Sequence, residues 1–204
     1  MLKTISSYRK ISILIAWLVW ILFTLTACGP DPQAAARKKL AGQNIGVSPK
    51  SLFKAIEMGD VQNTFLLLEA GIDINVRIDK RTPLMAAIES DKQKVVDHLL
   101  TQWVPDVTMK QNNGRTALMA AIENSNKGLI VRLLSHGADI DVPLNDGMTP
   151  LVRAVLNGNH ELVNILLKSG ADPNLKNIKN ETAFSIAEDR NDEKILRLLE
   201  NVKS

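Results

Sequence analysis

The feature that most constrains this chain is a short threonine-led segment that recurs four times. Its first copy reads Thr-Pro-Leu-Met-Ala-Ala-Ile and starts at Thr82. Further copies start at Thr116, Thr149 and Thr182, so the spacings are 34, 33 and 33 residues. After the copies at Thr116 and Thr149, a second apolar segment ends in Gly-Ala-Asp. A fixed period of this length predicts a stacked array in which each unit packs against its neighbours.

This period and these motifs resemble the ankyrin repeat. The resemblance implies an all-α solenoid of helix-turn-helix units with β-hairpin-like fingers between them. The first unit lacks the Thr-Pro pair and the last is densely charged on its outer face, as suits terminal units that must face water. The resulting ankyrin-repeat domain spans 51–204, in five repeats: 51–80, 81–113, 114–146, 147–180 and 181–204.

Two departures from the ankyrin pattern are visible. Ankyrin repeats usually carry histidine after Thr-Pro-Leu, so the polar network that the histidine supports must be absent or replaced here. At the end of the second repeat Trp103 stands where glycine is expected, and two extra residues follow it. A helix commonly ends with a left-handed glycine, so this loop should differ locally, with Trp103 either packed in it or exposed as an anchor. The residues in the histidine position are Met85, Met119, Val152 and Ser185.

Residues 1–27 have the order of features that defines an export signal. Lys3, Arg9 and Lys10 precede an apolar run, which leads to Leu25-Thr26-Ala27-Cys28. The last four residues resemble a bacterial lipobox, which implies that Cys28 is acylated and anchors the chain to a membrane. An uncleaved membrane anchor is the alternative. The resemblance implies the bacterial cell envelope on the periplasmic side, and Gly29 in place of aspartate favours the outer membrane.

Residues 28–50 are interpreted as the acylated N-terminus and a flexible tether. Three prolines, three glycines and few bulky apolar residues predict an extended or disordered segment over residues 29–50. Its cluster at Arg37–Lys39 could rest on anionic headgroups. We prefer the alternative that it is a solvated spacer between the membrane and the repeats.

Charge and side-chain chemistry favour neither nucleic-acid binding nor catalysis. Three of the 25 basic residues precede Cys28, so the rest of the chain carries 22 basic and 22 acidic residues. The three histidines lack metal-ligand spacing, and we expect no catalytic residue, metal or cofactor. The acids of Asp139-Ile140-Asp141 could suggest calcium, but they match the ordinary ankyrin turn.

The ankyrin resemblance implies a protein partner on the concave surface, held by the finger tips and the exposed side of the first helices. These positions mix apolar and charged residues, as interface patches do. Arg115, Met148 and Leu156 are the expected anchors. The candidate partner-binding residues are Ile78, Arg81, Asn112, Asn113, Arg115, Asn145, Asp146, Met148, Leu156, Asn157, Ile178 and Lys179.

The combined layout resembles periplasmic ankyrin lipoproteins, including immunity proteins that neutralise secreted phospholipase effectors. It predicts a membrane-anchored, periplasmic, protein-binding module that is a monomer when unbound. The alternative role is an envelope scaffold or stress-protection factor that binds another periplasmic protein. A hydrolase accessory is a third class, but no catalytic motif supports it.

Overall fold

The computed structural model describes residues 31–201, in which eleven helices form and no strand does. After the first helix, they follow one another as five helix pairs, one pair for each predicted repeat. Their bounds are α1 Pro32–Gly42, α2 Pro49–Met58, α3 Val61–Glu69, α4 Pro83–Glu89, α5 Gln93–Gln102, α6 Ala117–Glu123, α7 Lys127–Ser135, α8 Pro150–Leu156, α9 His160–Lys168, α10 Ala183–Asp189 and α11 Glu193–Glu200.

The recurring threonines begin the first helix of repeats two to five. Each threonine hydroxyl accepts a hydrogen bond from the backbone N–H three residues later, at 3.2–3.3 Å. Such a cap satisfies a donor that the first helical turn leaves free. Proline follows Thr82 and Thr149, where its fixed φ suits the first helical position. The sequence prediction of a threonine N-cap is confirmed.

The helices form two layers with one continuous core between them. The first helices α2, α4, α6, α8 and α10 contact one another in order, and each also packs on the second helix of its own repeat. Small residues such as Ala86, Ala87, Ala120 and Ala121 are almost fully buried in the first helices, which lets the helices approach closely. The core therefore runs along the array, and each repeat is stabilised by its neighbours.

The expected extended segment over residues 29–50 is wrong for Pro32–Gly42, which forms α1. Asp31 caps this helix by accepting a hydrogen bond from the N–H of Gln33 at 3.0 Å. Ala36 and Leu40 are buried against the array, and Arg37 Nε donates to the carbonyl oxygen of Ala70 at 3.1 Å. Helix α1 packs on α3 as α3 packs on α5, so it extends the second-helix layer by one member and covers the first repeat.

The fingers between repeats are tight turns. Only Ile78 and Arg81 form an antiparallel bridge among the described residues, so the hairpin character of the fingers is not confirmed. The fingers stack closely, because a Cβ on Gly147 would lie 2.8 Å from the Cα of Asn177 in the next finger. Gly147 also has a φ of +78°, which a side chain would strain.

Trp103 ends α5 in an extended conformation, with φ −130° and ψ 169°. Its ring is half-buried and meets the ring of Phe65 edge-on, with centroids 6.4 Å apart. Of the two extra residues, Val104 is exposed and Pro105 is buried. The local irregularity is confirmed, and the packed alternative for Trp103 is the one that the structure supports.

Between residues 31 and 201 no helix is long and apolar enough to cross a membrane. The predicted export signal over residues 1–27 and the acylation of Cys28 lie outside the described residues and stay predictions.

Candidate protein-binding surface

An ionic ladder runs along the first three repeats on the side of the fingers and first helices. Arg81 lies 3.1 Å from Glu57 and, through Nε, 2.8 Å from Glu89. Arg115 pairs with both Glu89 and Glu123, and Arg153 lies 3.2 Å from Glu123. We define the ionic ladder as Glu57, Arg81, Glu89, Arg115, Glu123 and Arg153.

The ladder joins residues from successive repeats, so it acts across the interfaces on which the solenoid depends. Exposed ion pairs contribute little singly, at about 0–1 kcal/mol, but networks of partly buried pairs contribute more. Arg115 is only 20% exposed and holds two carboxylates, one from the preceding repeat and one from its own. It is thereby fixed in place as a link between repeats.

The positions that carry histidine in other ankyrin repeats are apolar or locally paired here. Met85, Met119 and Val152 are each about 1% exposed and belong to the core. Ser185 instead forms a capping box, since its hydroxyl accepts from the N–H of Thr182 at 2.9 Å. Polar linkage between repeats is supplied by the ionic ladder and by the finger contacts.

The ladder ends at the fourth repeat because its sequence changes there. Met148 takes the position of Arg115, and Leu156 takes the position of Glu123, each 33 residues later. Both apolar side chains are partly buried against the core and partly exposed. They open a gap in an otherwise charged surface.

A cleft of about 360 Å³ lies at this gap, between the fourth and fifth repeats. Its apolar part comes from Met148, Leu156, Ile178 and Ile186. Ile178 projects from the finger and is 73% exposed, an unusual position for a large apolar side chain. We define the repeat-four cleft by its full lining: Asp146, Met148, Leu156, Asn177, Ile178, Lys179, Glu181, Ile186, Asp189 and Arg190.

The rim of the repeat-four cleft carries charges of both signs. Asp146 accepts from the N–H of Met148, and Glu181 accepts from the side-chain amide of Asn177 at 2.7 Å. Lys179 and Arg190 are exposed and have no ion pair among the residues described. An apolar floor with a mixed polar rim is the usual composition of a protein-binding patch.

The structure divides the twelve candidate binding residues into three groups. Five of them line the repeat-four cleft: Asp146, Met148, Leu156, Ile178 and Lys179. Arg81 and Arg115 belong to the ionic ladder, while Ile78 bridges Arg81 through backbone hydrogen bonds. The remaining four lie beside these groups, at finger contacts and at the C-cap of α8: Asn112, Asn113, Asn145 and Asn157.

Sequence reasoning missed Ile186 and the paired state of Arg115. The pairing carries a readable signal, since Arg81 and Arg115 lie 34 residues apart, as do Glu89 and Glu123. Ile186 follows no such rule, because it reaches the cleft only through the way α10 packs on α8.

The acidic turns form structural contacts between repeats. Asp139 accepts from the N–H of Asp141, and Asp141 in turn accepts from the N–H of Asp172 at 3.0 Å. Burial raises the pKa of Asp141, the hydrogen bond from Asp172 opposes this shift, and the nearby charges of Asp172 and Asp139 add to it. No group of metal-ligating residues occurs in the part of the chain that the structure describes.

The fold and this surface define a solenoid of stacked helix pairs with a polar ladder and one apolar cleft. A sequence model of ankyrin repeats, in three copies, matches residues 104–177. The chain therefore carries ankyrin repeats, which are typically protein-interaction modules and not enzymes.

Curated relatives share the repeats over a limited length. Neurogenic locus notch homolog protein 2 of Homo sapiens is 34% identical over 76 residues, which is 37% of this chain and 3% of that protein. Ankyrin repeat and KH domain-containing protein mask-1 of Caenorhabditis elegans is 31% identical over 90 residues, 44% of this chain and 3% of that protein. The chain thus spans about 3% of the length of these relatives.

Proposed function

We propose that this chain is a membrane-anchored periplasmic module that binds a protein partner through the repeat-four cleft. The observation that carries the proposal is the exposed apolar group of Met148, Leu156 and Ile178 at the end of the ionic ladder. The ladder satisfies its own charges, whereas the cleft leaves apolar surface and free charges available. A partner would gain most by placing an apolar side chain in the cleft and polar groups on its rim.

Membrane anchoring is proposed from the segment that precedes the described residues. The positively charged start, the apolar run and Leu25-Thr26-Ala27-Cys28 support an acylated Cys28. Buried acyl chains contribute about 0.8 kcal/mol per methylene, so a multiply acylated cysteine holds a protein firmly at a bilayer. Outer-membrane residence, from Gly29 after the cysteine, is part of the same proposal.

The role that we propose for the module is immunity against a membrane-targeting phospholipase effector. Such an inhibitor needs a membrane address and a broad recognition surface, and it needs no catalysis. The proposal rests on the layout of anchor and repeats, which resembles that of periplasmic immunity lipoproteins. The scaffold alternative is an outcome of the test, in which the captured partner is an envelope protein without lipase activity.

The binding test uses one change in the cleft and one matched change on the opposite side. Leu156→Asp places a charge in the apolar floor, and we expect it to weaken the partner by about 2 kcal/mol or more. Lys168→Glu, at the end of α9, changes an exposed residue outside the cleft and should have little effect. Partners are captured from envelope extract, their affinities are measured by calorimetry, and their phospholipase activity is assayed with and without the module.

Loss of the partner in the Lys168 variant, with retention in the Leu156 variant, would place the binding surface elsewhere. The anchor is tested separately with Cys28→Ala and radiolabelled palmitate. We expect label in the wild type alone, and equal label in both chains would reject the acylation.

A further inference from the structure

The two ends of the described array differ in charge. Residues 31–54 carry five basic residues and one acid, whereas residues 55–201 carry 16 basic and 21 acidic residues. The first part therefore has a net charge of +4 and the rest of −5. Since α1 and α2 stand at the start of the stack, the positive charge is concentrated at one end of the solenoid.

The lysines at this end are exposed and unpaired. Lys38 and Lys39 lie on α1, and Lys50 and Lys54 lie one turn apart on α2. None of the four has an ion pair in the region from residue 31 to 201, although nine ion pairs are formed there by other residues. We define these four lysines as the basic end. Their charge is left free to attract an anionic surface.

Helix α1 holds part of the basic end in a fixed orientation. Lys38 lies two residues from both Ala36 and Leu40, which are buried, so it projects from the opposite face of the helix. The hydrogen bond from Arg37 to the carbonyl of Ala70 also ties the helix to the array. A flexible tether would allow any orientation, whereas this packed helix presents its outer face in one direction.

The chain before α1 brings a bilayer to this end. Three residues separate Cys28 from Pro32, the first residue of α1, a distance of at most about 14 Å along an extended chain. An acylated Cys28 and an uncleaved apolar run both place the membrane here, and in this respect the inference rests on the proposed anchoring. An anionic leaflet attracts basic residues within about a Debye length, roughly 8 Å at physiological ionic strength.

We propose that the basic end docks on an anionic lipid bilayer and sets the orientation of the array. The chemistry recognised is that of negatively charged headgroups, which pair with the lysine ammonium groups. Docking through α1 and α2 places the repeat-four cleft toward the other end of the stack, where a partner in the aqueous phase can reach it.

The test uses the full chain in vesicles whose lipids carry a quencher near the headgroup. A fluorescent amino acid replaces Ala34, which is exposed on α1. We expect quenching at least twofold stronger in vesicles that contain phosphatidylglycerol than in vesicles of phosphatidylcholine alone, and a decrease as salt is added. The variant Lys38→Glu, Lys39→Glu, Lys50→Glu, Lys54→Glu should lose this difference.

The matched control reverses four exposed lysines elsewhere: Lys110, Lys168, Lys176 and Lys194, each changed to Glu. It has the same net charge and should keep the quenching. Equal quenching in both kinds of vesicle, or in the basic-end variant, would overturn the docking. Flotation with the vesicles reads the anchor separately, so a chain that floats without selective quenching overturns the docking alone. Flotation with anionic vesicles only, dependent on the four lysines, would support the docking and reject the anchor.

Discussion

At the residue scale, the four repeated threonines show how directly local chemistry can be read from this sequence. A hydroxyl before a helix start can serve one purpose well, which is to accept from a free N–H, and all four do so. Arg115 shows the opposite case. Its position on the concave side was predictable, but its two carboxylate partners depend on how far apart the stacked repeats lie, which spacing alone does not specify.

Asp192 allows a pH test at this scale. Its carboxylate accepts from the N–H of Ile195 at 3.1 Å and from His160 Nε2 at 3.0 Å. Partial burial raises the pKa of Asp192, but these hydrogen bonds outweigh it and hold the pKa below its ordinary value of 3.8. The stabilisation is therefore complete above the unfolded pKa and is lost as pH falls through the lower, folded pKa.

We expect Asp192→Ala to lower the free energy of unfolding by about 0.5–2 kcal/mol at neutral pH, as for other lost N-caps. The difference from the wild type should shrink below about pH 4, where the carboxylate becomes protonated in both states. Urea melts across this range measure it. A difference that stays constant down to strongly acidic pH would show that the charge of Asp192 has no part in the effect.

At the scale of elements, the helix pairs were predictable and α1 was not. The pairs repeat, so each one supports the assignment of the next. The α1 segment occurs once, and its prolines and glycines are typical of a linker. Its helix is stabilised by Ala36 and Leu40 packing on α3, a tertiary contact that outweighs a weak local signal.

The packing of α1 is tested by Leu40→Ala. Leu40 is fully buried, so its truncation should cost about 2–5 kcal/mol in urea melts. Lys38→Ala, on the exposed face of the same helix, is the control and should stay within about 0.5 kcal/mol of the wild type. If both variants melted like the wild type, α1 would not contribute to the folded array.

At the scale of the whole molecule, stability and function are distributed differently along the stack. The core is continuous, so central repeats are stabilised from both sides and terminal repeats from one. The ionic ladder covers the first three repeats, and the repeat-four cleft follows directly after it. The sequence alone predicted the concave surface as a whole. Its restriction to one cleft follows from packing between α8 and α10.

The distribution of stability predicts a contrast between two buried leucines. Leu133, in the middle repeat, and Leu199, in the last, are both about fully buried. Leu133→Ala should lower the unfolding free energy of the whole array by about 2–5 kcal/mol, whereas Leu199→Ala should mainly loosen the last helix pair. Urea melts followed by far-ultraviolet circular dichroism compare them. A larger loss in the Leu199 variant would contradict the assignment of repeat five as a terminal cap.

The most direct test of the account is hydrogen exchange of the chain with and without its captured partner. If the partner occupies the repeat-four cleft, backbone amides of the two fingers around Met148 and Ile178 should exchange more slowly in the complex. Amides of α9 and α11, in the second-helix layer, should be unchanged. Protection confined to α9 and α11, with none in the two fingers, would contradict the central claim that the cleft is the binding site.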